Sequence, residues 1–311
     1  MRHLSRSLGL AILAAAATCH AQQVADPDYA TEVPSPAHKN AAGPCIAIDE
    51  AHHNFHTADG RYQPFAALLR SDGYRVQPAT SPISAASLQG FAVLVIANAR
   101  GKSSDHGQSA PTKSAFTSTE IATLHRWVDQ GGSLFLIFDH MPFPEAAAEL
   151  AKAFAIEVSN GFAVPKSAGV TANIEFDLAG SPAACAATLG RNESEHVSKV
   201  VTFVGSAFKP PADATVVLPL GGDFVSLLPE RPWRFASNTP RVPLDGYCQG
   251  VIAKVGKGRI AVFGEAAMFT AQLSGPSAQP VGMNAPEATG NQQLLLNVVH
   301  WLTRLPGLPD C

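Results

Sequence analysis

Acidic and imidazole side chains are concentrated in one short segment near the start of the chain. Directly after the apolar run 45–48, the sequence carries Asp49, Glu50, His52, His53, Asn54 and His56. Neutral imidazole together with carboxylate suits zinc, iron or copper, so His53 and His56 predict a divalent-metal site, with Asn54 orienting the ligand or the loop. The alternative is a polar loop whose side chains bond to its own backbone.

Two later apolar runs also end in carboxylates. Residues 134–138 are followed by Asp139 and His140, and residues 260–263 by Gly264 and Glu265. A carboxylate at the end of a buried strand, close to a second carboxylate, has its pKa raised and serves as a general acid or base. We therefore predict that Asp139, Glu265 and His140 are catalytic residues.

Simpler structural roles compete with these assignments. Asp139 would act as a cap before Pro142, and Glu265 would face the dipole of a helix predicted over residues 266–273. Because both carboxylates follow corresponding strands, we favour a shared site, with predicted ligand-binding residues Glu50, His53, Asn54, His56, Asn98, Gly264 and Asn284. Gly264 would let the backbone approach a ligand closely. For Asn98 and Asn284, ordinary turn and cap chemistry is the alternative.

Three strings look like catalytic motifs but lack the context that the chemistry needs. Residues 46–52 resemble a Walker B box, yet no phosphate-binding loop precedes them. Residues 246–250 match the GxCxG elbow by letter, but a proline-broken segment precedes them and a predicted hairpin follows. We therefore predict Cys248 to be a disulfide partner rather than a nucleophile. Residues 205–208 do not match GxSxG, so a serine hydrolase has no support.

The elements that must position these residues follow the order of a doubly wound α/β fold. Unbroken apolar runs at 45–49, 91–97 and 134–138 predict strands buried on both faces, hence a mainly parallel sheet covered by helices. Helices are predicted from Pro64, from the capping box of Thr117 and Glu120, over 145–154 and over 291–305. Residues 157–250 predict an antiparallel β extension, and residues 251–263 a hairpin that returns to the core.

The N-terminus has the features of a cleaved signal peptide. Arg2 and Arg6 precede an apolar core that is too short to span a bilayer, and cleavage is predicted after Ala21. A lipoprotein with Cys19 lipidated is the second interpretation. We therefore expect a periplasmic or secreted protein without a transmembrane segment. Its organisation would be a signal peptide (1–21), a disordered lead-in (22–43), an α/β domain (44–305) and a tail (306–311).

The charge of the chain limits its possible binding partners, and its cysteine content limits its possible disulfides. Without residues 1–21 the chain has 20 basic and 25 acidic residues and no basic block, so a nucleic-acid partner has no electrostatic support. Four cysteines then remain, at positions 45, 185, 248 and 311. In an oxidising compartment they allow up to two disulfides and three complete pairings.

The motifs together resemble the bacterial DUF4350-type proteins of the class I glutamine amidotransferase-like superfamily. The resemblance rests on four segments across residues 44–305: 49–56, 139–142, 264–269 and 282–286. It implies a flavodoxin-like parallel sheet, but it does not carry over an activity. Where amidotransferases place their elbow cysteine, this chain has Asp139 and His140, so glutaminase activity is not expected.

Two functions follow from this pattern. The first is a binding module for a small polar ligand, such as a glycan or a cell-envelope fragment, in a crevice at the carboxyl ends of the strands. The second is a hydrolase that uses Asp139 and Glu265 as acid and base, with or without a divalent metal held by His53, His56 or His140. We predict that Asp139 and Glu265 face one crevice and that only one histidine of the 49–56 loop joins them.

Overall fold

Helices on both faces of a large mixed sheet position the predicted site. The computed structural model describes residues 23–30, 32–39, 41–101, 111–170, 172–179, 185–309 and 311, so the predicted signal peptide lies outside the described residues. In chain order, the described strands are β1 (Gln23–Ala25), β2 (Cys45–Asp49), β3 (Arg75–Ala79), β4 (Val93–Ala97), β5 (Ser133–Ile137), β6 (Glu157–Ser159), β7 (Phe162–Pro165), β8 (Ile174–Asp177), β9 (Lys199–Thr202), β10 (Ala207–Lys209), β11 (Thr215–Pro219), β12 (Phe224–Leu227), β13 (Arg241–Pro243), β14 (Cys248–Val255), β15 (Gly258–Phe263), β16 (Ala271–Ser274) and β17 (Gln279–Gly282). The α-helices are α1 (Gln63–Ser71), α2 (Ser118–Asp129), α3 (Phe143–Ala153), α4 (Ala186–Leu189) and α5 (Asn291–Leu302), and single 3₁₀ turns lie at Glu193–Glu195 and Ala267–Phe269.

The main sheet combines a parallel half with an antiparallel half. Its order is β3-β2-β4-β5-β15-β14-β10-β6, with β11 also paired to β14. The first five strands in this order are parallel, whereas β14, β10, β11 and β6 join through antiparallel pairs. The carboxyl ends of β2, β4, β5 and β15 therefore meet at one edge of the sheet. The α/β class, the parallel half and the antiparallel extension agree with the prediction.

Alternate residues of the central strands serve two separate cores. In β4, Val93 and Val95 pack into the core that also contains residues of α1 and α5, while Leu94 and Ile96 pack into the core that contains residues of α2 and α3. Every residue of β2, β4 and β5 is buried. Burial on both faces explains why these strands read as unbroken apolar runs.

Local predictions held where short-range chemistry decides the structure. Thr117 and Glu120 form the predicted capping box at the start of α2. The predicted hairpin is β14 and β15, which pair from Gly250 with Phe263 to Val255 with Gly258. Among the described residues no helix is long and apolar enough to cross a membrane.

The segment predicted as a disordered lead-in is structured over most of its length. Strand β1 pairs antiparallel with β16, and the Tyr29 hydroxyl donates to Gln292 Oε1 at 2.7 Å. Tyr29, Val33 and Ala37 pack against the main core. These apolar residues are too widely spaced to show a period, so only their long-range contacts reveal the order. The predicted tail behaves likewise, because Leu308 and Cys311 pack on the same core.

The helix predicted over residues 266–273 is also absent. The chain instead makes the 3₁₀ turn Ala267–Phe269 and continues into β16, which lies between β1 and β17. Pairing on both sides of β16 satisfies its backbone groups, and this tertiary context overrides the helical pattern of the sequence.

Candidate functional site

The parallel strands bring three predicted residues together at one edge of the sheet. Asn98 follows β4, Asp139 follows β5 and Glu265 follows β15, and these three strands are adjacent. The backbone N–H of Asp139 donates to Asn98 Oδ1 at 2.7 Å, which fixes the chain as it leaves β5. Asn98 itself has a φ of 52°, a left-handed conformation that asparagine tolerates better than most residues. The site is thus built from strand ends rather than from a flexible loop.

Glu265 is fully buried and held by backbone amides. Its Oε1 accepts the N–H of Ala267 at 2.8 Å and its Oε2 accepts that of Met268 at 2.7 Å. The N–H of Phe203 donates to the same carboxyl group. Both oxygens are therefore occupied from the protein side, and the carboxyl group fixes the turn that the sequence led us to expect as a helix.

Asp139 and Glu265 form an electrostatically coupled carboxyl pair. Burial, reinforced by the neighbouring Asp139, raises the pKa of Glu265 to about 8, although its amide donors act in the opposite direction. Burial also raises the pKa of Asp139 to about 7. Two buried carboxylates cannot both ionise easily at short range, so the pair retains a proton near neutral pH.

Only one member of the pair is accessible. Asp139 is partly exposed and its Oδ1 accepts the N–H of His140 at 2.7 Å, whereas Glu265 has no exposed surface. Glu265 has the higher pKa of the two and keeps its proton to the higher pH, while Asp139 changes its charge near pH 7. Asp139 is therefore the group that can exchange a proton with solvent or a ligand.

His56 supports this pair from behind through two amide side chains. Asn98 Nδ2 lies 3.2 Å from His56 Nδ1, and Gln272 Nε2 lies 3.3 Å from His56 Nε2. Burial, together with Arg61 and Arg100, lowers the pKa of His56 to about 3, so the ring is neutral and carries one N–H. Because Asn98 Oδ1 is taken by Asp139, Asn98 must donate to Nδ1, and the proton of His56 lies on Nε2.

The remaining member of this network is the Gln272 amide. Its buried Oε1 has no hydrogen-bond partner among the described residues, while its Nε2 faces a ring nitrogen that must also donate. Exchanging the oxygen and nitrogen of the Gln272 amide lets Oε1 accept the Nε2–H of His56. The network then runs from Gln272 through His56 and Asn98 to the backbone of Asp139.

An aromatic surface adjoins Asp139. The ring of His140 stacks on Phe162, with centroids 4.6 Å apart and an interplanar angle of 10°, and meets the edge of Trp233 at 4.7 Å. Burial lowers the pKa of His140 to about 4, and its Nδ1–H donates to the carbonyl of Met141 at 2.8 Å. Trp233 is 49% exposed. A neutral imidazole, next to Asp139 in the chain, therefore packs against a half-exposed indole ring.

The predicted metal pair does not form. His53 is exposed on a residue with a φ of 52°, whereas His56 is buried with both ring nitrogens facing amide side chains. Within the described part of the chain, no group of three or more histidine, cysteine, aspartate or glutamate side chains is placed to hold a metal ion. One histidine of the 49–56 loop joins the carboxyl pair, through Asn98.

Four other predicted ligand-binding residues have structural roles. Glu50 Oε1 accepts the N–H of Ala58 at 2.8 Å, and Asn54 Oδ1 accepts that of His52 at 3.3 Å, so both stabilise their own loop. Asn284 Nδ2 donates to Asp26 Oδ2 and to the Gln272 carbonyl.

Gly264 is required by the fold rather than by a ligand. A Cβ at this position would lie 2.5 Å from the carbonyl oxygen of Ser206, which belongs to the neighbouring chain segment. The close approach that the sequence indicated is therefore between two segments of the protein itself.

Comparison with solved structures gives a fold but no activity. The N-terminal domain of mmIFT52 aligns with a TM-score of 0.55 and 17% identity, over 83% of this chain and 97% of that domain. The two share a fold. A ThuA-like protein from Bacteroides uniformis ATCC 8492 aligns with a TM-score of 0.43 and 11% identity, over 88% of this chain and 94% of its own. No protein-family model matches the chain, and no curated protein is similar to it.

Several residues of the site had no signal in the sequence. Gln272 was hidden because its segment reads as a helix, and Trp233 lies in an irregular connection between β12 and β13. Tyr62 donates its hydroxyl to the carbonyl of Ala266 at 3.0 Å, and its ring contacts that of His56 at an interplanar angle of 54°. The contacts of Gln272 with His56 and of Tyr62 with Ala266 join residues about two hundred positions apart, which no local pattern can reveal.

Proposed function

We propose that this chain binds a polar ligand of the glycan or cell-envelope type at the surface formed by Asp139, His140 and Trp233. The observation that carries the proposal is the partly exposed Asp139, whose neighbour His140 packs against the half-exposed ring of Trp233. Binding sites commonly combine an apolar aromatic wall with a few fixed polar groups.

A sugar ring suits this combination of groups. One face of a pyranose presents C–H groups that can lie against the indole of Trp233, and its hydroxyl groups can exchange hydrogen bonds with a carboxyl group. Trp233 contributes contact area with only two side-chain torsions to fix, which keeps the entropy loss small. Because Asp139 and His140 follow a buried strand, the polar groups are held in place before a ligand arrives.

Hydrolysis by a carboxylate pair is the second candidate. It is favoured by the pKa of Asp139, about 7, which suits a general acid at neutral pH. It is disfavoured by Glu265, because hydrolysis by two carboxylates requires both to reach the substrate. Glu265 is fully buried and its oxygens are occupied by amides. We therefore rank binding first.

Glutaminase activity is not part of the proposal. Cys248 is buried in β14, its Sγ lies 3.4 Å from the Phe208 carbonyl, and burial raises the pKa of its thiol. Such a cysteine is protonated at neutral pH and is a poor nucleophile. A strand, rather than a helix, follows it.

We further infer that the chain is exported by a signal peptide cleaved after Ala21 to the periplasm or outside the cell. Its doubly wound, flavodoxin-like arrangement would place it in the class I glutamine amidotransferase-like superfamily, beside DUF4350-type proteins. N-terminal sequencing of the exported protein tests the export part, since an intact Met1 would contradict it.

Isothermal titration with soluble peptidoglycan fragments and neutral oligosaccharides tests the binding proposal. We expect Trp233→Ala to weaken binding at least about tenfold, because exposed aromatic anchors carry much of the binding energy. In the wild type we expect affinity to fall as the pH rises through about 7, where Asp139 loses its proton. Asp139→Asn should remove this pH dependence. The matched controls Val242→Ala and Asp213→Asn alter exposed residues and should leave affinity unchanged.

Two outcomes decide between the candidates. Binding without product release, lost in Trp233→Ala, supports the binding module. Ligand cleavage that disappears in Asp139→Asn supports the hydrolase instead. If neither variant differs from its control with any ligand that the wild type binds, this surface is not the site.

A further inference from the structure

Two cysteines distant in sequence meet at the C-terminal end of the chain. The N–H of Ala186, the residue next to Cys185, donates to Cys311 Sγ at 3.1 Å, although Ala186 and Cys311 are 125 positions apart. The thiols of Cys185 and Cys311 are also hydrogen-bonded to each other. Cys185 is buried, and Cys311 is partly exposed. Both thiols are reduced in this structure.

Backbone amides at the start of α4 surround both sulfur atoms. The N–H groups of Ala186 and Ala187 face Cys311 Sγ, and those of Ala187 and Thr188 face Cys185 Sγ. The position of Cys311 is therefore fixed by the start of α4. This placement brings the two thiols within hydrogen-bonding contact of each other.

We propose that Cys185 and Cys311 form an intrachain disulfide that fastens the C-terminal segment 306–311 to α4. This contact selects Cys185 and Cys311 as a pair and leaves Cys45 and Cys248. Cys45 lies at the start of β2 and Cys248 at the start of β14. In the main sheet β4, β5 and β15 separate these two strands, so Cys45 and Cys248 stay as thiols.

The chemistry is a thiol–disulfide exchange with a disulfide oxidant. Cys311, which is partly exposed, forms a mixed disulfide with the oxidant and releases one thiol of the oxidant. The Cys185 thiolate then attacks Cys311 Sγ, which forms the intrachain bond and expels the second oxidant thiol. Two protein thiols are oxidised and one oxidant disulfide is reduced. The backbone N–H groups of Ala187 and Thr188 still face Cys185 Sγ in the mixed disulfide and stabilise its thiolate, which favours the second step.

Fastening this segment would restrain the elements behind the carboxyl pair. Helix α4 packs against α5, where Asn297 Nδ2 donates to the Ala187 carbonyl at 3.2 Å. In the same helix, Asn291 Nδ2 donates to the Met268 carbonyl at 3.2 Å. Met268 supplies one of the amides that hold Glu265. The proposal itself rests on the cysteine contact alone and does not depend on the proposed ligand.

Peptide mapping of the full-length protein tests the pairing. Protein purified under reducing conditions is incubated with oxidised glutathione, its free thiols are alkylated, and it is digested with trypsin without reduction. We expect the peptide of residues 167–191 to be linked to that of residues 305–311. Glutathione adducts on Cys185 and Cys311 without this linkage, or linkage of either one to Cys45 or Cys248, would overturn the proposal.

Thermal unfolding provides the second readout. A disulfide that closes a loop of more than a hundred residues restricts the unfolded chain, so oxidation should raise the midpoint by about 5 °C or more. Cys311→Ser, at the last residue of the chain, and Cys185→Ala should each abolish this difference. Cys45→Ala should retain it. An equal oxidation effect in all three variants would contradict the assignment.

Discussion

Two carboxyl groups at corresponding strand ends differ in function because their surroundings differ. Glu265 has no exposed surface and accepts backbone N–H groups through both oxygens, so it acts as a fixed part of the wall. Asp139 accepts hydrogen bonds from the His140 N–H and the Asn98 side chain, and keeps part of its surface in solvent. At the residue scale, exposure rather than residue type distinguishes Asp139 as the group that can meet a ligand.

The raised pKa values of this pair predict how stability depends on pH. The pKa of Asp139 is about 7 and that of Glu265 about 8, against about 4 in the unfolded chain. Between these values the folded protein binds protons that the unfolded chain has released, so the contribution of this pair to stability is greatest below about pH 4 and is lost as the pH rises through 7 to 8. Asp139→Asn should narrow the difference in unfolding free energy between pH 5 and pH 8.5 by about 2 kcal/mol.

Urea denaturation at the two pH values measures this effect. Asp213→Asn, which alters an exposed carboxylate, should keep the wild-type difference. A wild-type protein that is more stable at pH 8.5 than at pH 5, with Asp139→Asn unchanged, would show that the pair is not protonated near neutral pH.

At the element scale, one buried histidine joins the end of β2 to the start of α2. His52 Nδ1 lies 2.9 Å from the Asp49 carboxylate and its Nε2 lies 3.0 Å from Glu120 Oε1. Glu120 also closes the capping box with Thr117 and accepts the N–H of Ile83 at 3.2 Å. The acidic and histidine-rich opening segment thus contributes an ion cluster to the fold.

Removing this histidine should destabilise the protein strongly. His52→Gln leaves the buried Asp49 and the partly buried Glu120 carboxylates without their cation, and we expect a loss of about 3 kcal/mol in unfolding free energy. The double variant His52→Gln with Glu120→Gln should lose less unfolding free energy than the two single variants lose in sum, because both residues belong to one cluster. Glu149→Gln, an exposed change on α3, serves as the control. Strict additivity would show that the two residues are not coupled.

The cluster of His52, Asp49 and Glu120 stabilises the protein only within a definite pH range. Burial would lower the pKa of His52, but its bonds to Asp49 and Glu120 outweigh burial and raise it. Burial likewise opposes ionisation of Glu120, yet its bonds to Thr117 and His52 lower its pKa to about 2. The stabilisation by this cluster is lost above the raised pKa of His52, where the imidazole loses its charge. It is also lost as the pH falls towards 2, because Glu120 then becomes protonated. The effect of His52→Gln should therefore be largest near pH 5 to 6.

At the scale of the whole molecule, a buried aspartate ties three distant segments together. Asp72, at the end of α1, accepts the N–H of Ala37 at 2.7 Å and lies 2.6 Å from His300 Nε2 in α5. Asp72 is completely buried and His300 almost so. This contact explains how a segment without periodicity becomes part of the folded domain.

Asp72→Ala should therefore lower the unfolding free energy by about 3 kcal/mol, since it leaves an amide and an imidazole without their acceptor. Guanidinium denaturation measures the loss, and limited proteolysis should cut the chain within residues 32–39 faster than in wild type. The exposed change Asp213→Ala is the control. Unchanged stability together with unchanged cleavage would show that the lead-in is held by its other contacts.

The sequence by itself determined the features that short-range physics controls. Unbroken apolar runs identified the buried parallel strands, and the capping box identified the start of α2. Because parallel strands end at one edge of a sheet, the order of elements also indicated that Asp139 and Glu265 would lie near each other. The tertiary structure does bring this pair together.

Only the tertiary structure decided which groups in that edge are accessible and which support them. It buried Glu265 and left Asp139 partly open, placed Gln272 behind His56, and set Trp233 beside His140. It also turned the 49–56 segment mainly to structural use and folded the lead-in onto the core. Each outcome depends on contacts between residues far apart in the chain, whose packing no local pattern of residue types encodes.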